Sequence, residues 1–459
     1  MLDIHIVAQK VTIDLAKKYQ TMDGFGFSGA FQRANLIVNL QEPKQTEVLN
    51  LLFNTTSGAG FSILRNGVGS SKDSSKDYMN TILPNCPSAP DGTPEYKWDG
   101  KDSGQLWLSQ QAVKYGVKTF YANAWSAPGC MKTNGQDSNG GKLCGISGTN
   151  CKSGDWKQAY ANYFIKYIQL YAEAGVKISH LGFLNEPDYT TAYASMSSNG
   201  NEAAEFIKVL RPTLDKNNMT DIGINCCEAT GWSVANQHAS QLISSGVEGM
   251  LYAITSHEYT SRINSSPMKT RTRVWQTEYS DLNGGWSTAW YASGGTGDGF
   301  TWANTVFNGV VNANLTAYVF WEGVQDRVTN NNNNEKLILV DGQTYTVAKR
   351  LWAFAQFRVV RPGAVRVGAS GGSNLKSAAF QNTDGSLAVV IINSGTSTQT
   401  VGIASGLTGA SVKAWFTDNT NDMKETAVTV ADGTASASVT GRGMISFLFS
   451  PAGNATVKA

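Results

Sequence analysis

The chain has 459 residues, with 37 Lys and Arg against 35 Asp and Glu, a formal net charge of +2 and six cysteines. Balanced charge without a basic stripe excludes the footprint of a nucleic-acid binder, and no apolar run approaches the roughly 18–20 residues that span a bilayer. The length suits one barrel of ordinary size plus a smaller module, and 12 Trp with 17 Tyr favour a neutral substrate on which aromatic faces stack.

In chain order, the first twenty residues alternate apolar and polar positions, Ile4, Ile6 and Ala8 and then Val11, Ile13 and Leu15. A period of two marks strands that precede the main body and join a later sheet. The N-terminal residues Met1 to His5 lack an apolar signal region, so a secretion signal is absent or already removed. From about residue 22 to 360, short β-branched runs alternate with amphipathic stretches. The predicted strands are 24–29, 61–66, 119–125, 180–185, 222–227, 252–257, 273–277 and 316–321. Helices are predicted at 45–53, 105–115, 156–174, 203–215, 235–244, 302–312 and 347–357, the third opening on Ser153-Gly154-Asp155 and stopping at Gly175. Eight strands in βα alternation predict an α/β fold, a closed (β/α)8 TIM barrel. The connection between the sixth and seventh strands is too short for a full crossover helix. Asn330–Asn334 reads as a low-complexity, mobile insert after the eighth strand.

Beyond Arg361-Pro362-Gly363 the pattern changes to short strands at 364–367, 376–381, 387–393, 399–402, 412–417, 427–430, 435–439 and 444–450, an antiparallel β-sandwich. The division expected is 1–20 for N-terminal strands of the sandwich, 21–361 for the barrel and 362–459 for the rest of the sandwich, which is thus built from both termini. Cys86, Cys130, Cys144, Cys151, Cys226 and Cys227 form no CxxC pair, and the four His are scattered, so no metal site is expected. Disulfides are expected in the Gly- and Ser-rich loop that carries Cys130, Cys144 and Cys151. Sequons at Asn54, Asn218, Asn264, Asn314 and Asn454 accompany an expectation of a secreted, extracellular protein.

In such a barrel the chemistry sits where strands end. The fourth strand ends Leu184-Asn185-Glu186-Pro187 and the seventh Trp275-Gln276-Thr277-Glu278. Two carboxylates facing each other across the mouth at about 5–5.5 Å are what a retaining glycosidase needs, one to protonate the leaving oxygen and one to attack. Arg65, ending the second strand, would hold Glu278 ionised as nucleophile. Glu186, among apolar and aromatic neighbours, would keep its proton as the acid. Asn185 is placed to hydrogen-bond a sugar 2-hydroxyl, Trp125 and Trp321 to floor the central subsite, and His257 and Tyr259 to lie beside the nucleophile. Glu228, Glu258 and Glu322 also end strands, so position alone does not select the pair. Glu258 and Glu322 could equally orient the Arg or the His.

These pieces resemble glycoside hydrolase family 30, through Gln20-Thr21-Met22-Asp23-Gly24-Phe25-Gly26, Ser28-Gly29-Ala30-Phe31, Leu64-Arg65-Asn66-Gly67-Val68-Gly69, Ala124-Trp125-Ser126-Ala127-Pro128, Leu184-Asn185-Glu186-Pro187, Trp275-Gln276-Thr277-Glu278 and Arg361-Pro362-Gly363-Ala364. The resemblance covers nearly the whole chain and implies Glu186 as acid/base and Glu278 as nucleophile. Gly29-Ala30-Phe31-Gln32-Arg33-Ala34 looks most like the fungal xylanase branch, subfamily 7. That likeness implies Arg33 as the contact for a 4-O-methylglucuronic acid side group and Asn80 as a contact at the non-reducing end. Arg327 follows the eighth strand with no assigned role. The expected activity is hydrolysis of β-1,4-linked (glucurono)xylan of the plant cell wall by a monomer without cofactor or metal. The alternatives are a β-1,6-glucanase or β-1,6-galactanase of the same family and a carbohydrate-binding protein that has lost catalysis. No Gly-x-Ser-x-Gly elbow occurs to support a serine nucleophile.

Overall fold

The computed structural model describes residues 9–263, 266–407 and 409–451, so Ile4, Ile6, Ala8, Asn264 and Asn454 lie outside the described residues. Eight parallel strands form a closed barrel: Gly24–Ser28, Ile63–Val68, Thr119–Ala124, His180–Gly182, Gly223–Ala229, Ala253–His257, Arg273–Glu278 and Ala317–Gln325. The last of these pairs with both the seventh and the first. Strand side chains repeat every two residues, so Ile63, Tyr121, Ala253, Trp275, Ala317 and Val319 meet inside the barrel as one buried cluster. Two residues further on, Arg65 and Thr277 point inward one layer higher, at the C-terminal mouth.

The helices lie outside, as expected. Lys157–Glu173 buries Tyr160, Phe164, Tyr167 and Tyr171, spaced three and four apart, against the strands. Gly200–Lys216 starts at Asn199, whose side chain accepts the N–H groups of Asn201 and Glu202. Among the described residues no helix joins His257 to Arg273, in line with the short connection.

Two expectations after the eighth strand are overturned. Lys336–Asp341 adds a parallel strand to the far end of Ala317–Gln325, and Thr344–Val347 returns beside it, so the helix predicted from residue 347 begins at Lys349. The hairpin turns on Gly342-Gln343, with Gly342 at φ +57°, a conformation that glycine adopts without a Cβ clash. The asparagine run is a paired segment rather than a mobile insert. Asn333–Asn334 pairs with Asp281–Gly285, and Asn334, 2% exposed, donates to the Asp281 carboxylate at 3.0 Å. Asn330 donates to Glu335. Amide groups that low complexity assigns to solvent are taken here by carboxylates.

The remaining strands form one ten-stranded sheet folded over its own core. Gln9–Thr21 is a central strand, antiparallel to Val365–Ser370 and parallel to Gln399–Ala404, the one parallel pairing in a sheet otherwise antiparallel as expected. One face of this sheet buries Val11, Val389, Ile391, Val401, Ile403 and Phe447 together. The other, with Phe380, Val390, Ile392 and Met444, packs into the barrel's outer core. Met22 and the Gly363-Ala364 peptide exchange two backbone hydrogen bonds at the seam, each 2.8 Å. Ile391 is fully buried in the sandwich interior. Ile391→Val should therefore cost about 1 kcal/mol in urea unfolding and leave turnover unchanged.

All six cysteines are paired, Cys86 with Cys130, Cys144 with Cys151 and Cys226 with Cys227. No helix among the described residues is long and apolar enough to cross a membrane.

Candidate active site

The charged side chains at the mouth come from the ends of the second, fifth, sixth and seventh strands and from the turn after the fourth. Arg65 is fully buried and donates from Nη1 to Glu278 Oε2 at 2.5 Å, and from Nη2 to Asn185 Oδ1 at 2.6 Å and Glu228 Oε2 at 3.0 Å. Its guanidinium lies 4.6 Å from the Trp125 ring centre. Burial alone would weaken the hold of Arg65 on its proton, but Glu228 and Glu278 outweigh burial and raise it. His257, also fully buried, places Nδ1 3.0 Å from Glu186 Oε1 and Nε2 2.8 Å from Glu228 Oε2. Burial favours the neutral ring, yet Glu278, Glu186 and Glu228 push it up to about 10, so both ring nitrogens carry protons and donate.

Glu228 is the inverse case. Burial opposes its ionisation, but Arg65 and His257 bring it down to about 2. Burial pushes Glu278 up, His257 and Arg65 offset only part of that rise, and Glu186 adds to it. Tyr259 donates to Glu278 Oε1 at 3.1 Å. One oxygen from each of Glu186 and Glu278 and one His257 nitrogen lie within 4.8 Å of one another. The two carboxyls therefore converge on one gap at the barrel mouth.

The backbone is strained at this point. Glu186 sits at φ +49° and Glu228 at φ +58°, the left-handed region, which costs a side-chain-bearing residue about 1–2 kcal/mol. The Glu186 N–H donates to the Glu228 carbonyl at 2.8 Å, and the Tyr189 N–H donates to the Glu186 carbonyl at 2.8 Å. These bonds fix the direction in which Glu186 enters the cleft.

Several neighbours differ from those expected. Glu186 faces His257 rather than a purely apolar wall. His257 bonds Glu186, not Glu278, from which its Nε2 is 3.8 Å away. Arg65 does not by itself offset the burial of Glu278. Neither Glu258 nor Glu322 orients Arg65 or His257. Glu258 accepts from the Ile263 N–H and the Tyr318 hydroxyl, and Glu322 lies 3.6 Å from Arg33 Nε. The orienting carboxylate is Glu228. A register shift between Cys226 and Ala229 breaks the alternation that would otherwise face it outward. No sequence period reveals such a shift.

Arg33 also donates to the Phe31 carbonyl at 2.9 Å, and its buried Nε has no hydrogen-bond partner. Asn80 is exposed and accepts from the Ser74 hydroxyl at 2.7 Å. The Trp125 and Trp321 ring centres are 6.0 Å apart, and Phe31 packs 5.1 and 5.5 Å from them, leaving the two indoles 2% and 7% exposed. Sequence reasoning missed Phe31 as a wall residue and also Tyr193. Tyr193 packs 6.3 Å from Phe31 and against the Trp125 and Trp321 cluster, and its hydroxyl is pushed up by burial and then by Glu186 and Glu278. It likewise missed Tyr78 and Tyr189, aromatic rings more than half exposed on loops next to the site. Loop aromatics carry no period, so nothing in their spacing marks which ones return to the mouth.

Residues 22–358 match the profile of glycosyl hydrolase family 59, and residues 363–447 that of the glycosyl hydrolase family 30 beta sandwich domain. The catalytic domain of a family 30 xylanase C from Talaromyces cellulolyticus is 44% identical, with 96% of this chain and 100% of that one superposed at a TM-score of 0.89. An endo-1,6-beta-D-glucanase of Neurospora crassa is 26% identical over 417 residues, 83% of this chain and 81% of its own. The endo-beta1,6-glucanase BT3312 shares the fold at 20% identity and a TM-score of 0.75.

Proposed function

Because the chain belongs to glycoside hydrolase family 30, we propose that it hydrolyses β-1,4-xylosidic bonds of glucuronoxylan by double displacement, with Glu186 as acid/base and Glu278 as nucleophile. The observation that carries the mechanism is the convergence of the two carboxyls with His257 inside 4.8 Å. The substrate reading is supported by 44% identity along nearly the whole chain to a family 30 xylanase.

Two cations and three carboxyls meet at the mouth. Double displacement needs Glu278 as the carboxylate and a proton on Glu186, and Arg65 and His257 are the two cations set against Glu228 and Glu278. Glu186 gives this proton to the leaving glycosidic oxygen while Glu278 attacks the anomeric carbon and forms a glycosyl ester. The Glu186 carboxylate that results faces the His257 N–H. Water then attacks the anomeric carbon, loses a proton to Glu186 and releases Glu278. Asn185 accepts from Arg65 at its side-chain oxygen, which leaves its amide N–H groups for the sugar 2-hydroxyl. Trp125 and Trp321, with Phe31 and Tyr193, wall the central subsite, and Tyr259 orients the nucleophile.

Arg33 takes the uronate side group and Asn80 a sugar at the non-reducing end. The Arg33 side chain keeps 16% of its surface exposed, and a guanidinium pairs with a carboxylate through parallel N–H groups. The protein acts as a secreted monomer without a cofactor. Its three disulfides support an oxidising compartment. A β-1,6-glucanase is the second reading, favoured by the Neurospora relative.

Sugar release from glucuronoxylan, debranched xylan and a β-1,6-glucan separates the two, and release from the last alone would end the xylan reading. Arg33→Ala should lower kcat/KM on glucuronoxylan roughly tenfold to hundredfold, the range of a charge-assisted bond, and leave undecorated xylooligosaccharides unaffected. Equal losses on both substrates would remove Arg33 from side-group recognition.

A further inference from the structure

We infer that Glu228 is the positioning residue of this site: it anchors both cations, so that each turns its second N–H to one member of the catalytic pair. The inference rests on the double-displacement reading above. Glu228 is 1% exposed, and both its oxygens are taken. Oε2 accepts from Arg65 Nη2 at 3.0 Å, His257 Nε2 at 2.8 Å and the Thr277 hydroxyl at 2.9 Å, and Oε1 accepts from the Tyr121 hydroxyl at 2.7 Å. With no oxygen left for a substrate, Glu228 can be neither acid nor nucleophile. Yet the free ends of the two cations it holds reach the two residues that are. Arg65 Nη1 meets Glu278, and His257 Nδ1 meets Glu186. The Glu228 carbonyl also holds the Glu186 N–H at 2.8 Å. One residue therefore fixes the acid/base through its backbone and the charge around both carboxyls through its side chain.

The charge count gives this arrangement a readable consequence. The charged groups facing Glu228 and His257 are Arg65 from the second strand, Glu186 after the fourth and Glu278 on the seventh. Tyr121, Tyr193 and Tyr259 complete the ring, and burial pushes all three hydroxyls up, so they stay neutral. Glu322 on the eighth strand faces Arg33 instead, and burial pushes its carboxyl well up. Glu228 sets its charge against both cations, Arg65 and His257, that reach the catalytic pair. Without that charge one cation is in excess, and both catalytic carboxyls ionise at lower pH.

The test is the pH dependence of kcat/KM of Glu228→Gln on a soluble xylooligosaccharide. Both limbs should move to lower pH by about one unit or more. Glu228→Asp, which keeps the charge, should return them most of the way toward the parent. A fall in kcat with unmoved limbs would make Glu228 a packing residue and overturn the inference. The second measurement needs no variant. The 15N shifts of His257 in the unmodified enzyme should show both ring nitrogens protonated through about pH 8, as the charge count requires. A neutral ring at pH 7 would overturn the inference even if Glu228→Gln failed to fold. The His257 charge is read without substrate, so it stands or falls separately from the double-displacement reading, which rests on turnover of Glu278 variants.

Discussion

Glu278→Gln should lower kcat on the order of 10⁴-fold or more while the Kd for a xylooligosaccharide stays within a few-fold of the parent value. The amide keeps the size of the side chain and can turn its one oxygen to the Arg65 N–H while its NH2 donates to the Tyr259 hydroxyl oxygen, so the pocket keeps its shape. What it loses is the anionic oxygen that attacks the sugar. Catalysis lost with binding kept also separates the enzyme from a protein that merely holds polysaccharide. Glu278→Gly with added azide gives the positive form of the same test. Azide entering the vacated space from the nucleophile's side should return part of the activity and yield a glycosyl azide of inverted configuration. Hydrolysis by Glu278→Gln at the parent rate would end the nucleophile assignment, and with it the double-displacement mechanism.

Arg65→Met carries the largest expected loss of stability. Methionine fills much of the same volume, but it removes one of the two cations beside Glu228 and Glu278, 1% and 5% exposed, and leaves His257 to face both. Breaking one side of a buried ion network costs about 3–5 kcal/mol, because the stranded charge keeps its desolvation penalty. Urea unfolding at pH 7 measures it, and a loss under 1 kcal/mol would mean the network contributes little to folding. Arg65→Met combined with Glu228→Gln should recover part of that loss, since the second change removes one of the stranded charges.

The pH dependence of stability follows from the same groups. Glu228 is depressed to about 2 in the fold, so its contribution is complete above its ordinary 4.5 and is lost as pH falls through about 2. His257 is raised to about 10, so its contribution is complete below its ordinary 6.5 and is lost as pH rises through about 10. Their joint support is therefore full between pH 4.5 and 6.5.

The barrel was legible because a parallel sheet covered by helices writes two periods into the chain, and those periods survive without any knowledge of contacts. Ile63 and Arg65 share a face by parity alone, whereas Glu278 was found by its place at the end of the seventh strand, since parity with Trp275 and Thr277 would turn it away from the barrel interior. Glu186 was legible for a related reason, since an Asn-Glu-Pro at a strand end has few places to go but the mouth. Parity failed where a strand slipped. The shift between Cys226 and Ala229 turns Glu228 inward, and the residue that orders both cations looked like any other strand-end acid.

Composition also misled at Asn330–Asn334, where repeated amides suggested solvent and the fold supplied Asp281 and Glu335 as partners. Which cation meets which carboxyl, and which loop aromatic returns to the cleft, depends on distances of a few ångströms between residues far apart in the chain. A linear pattern records the face on which a side chain stands. Only the folded chain determines what it faces, because buried charges are settled jointly by every group that shares their low-dielectric space.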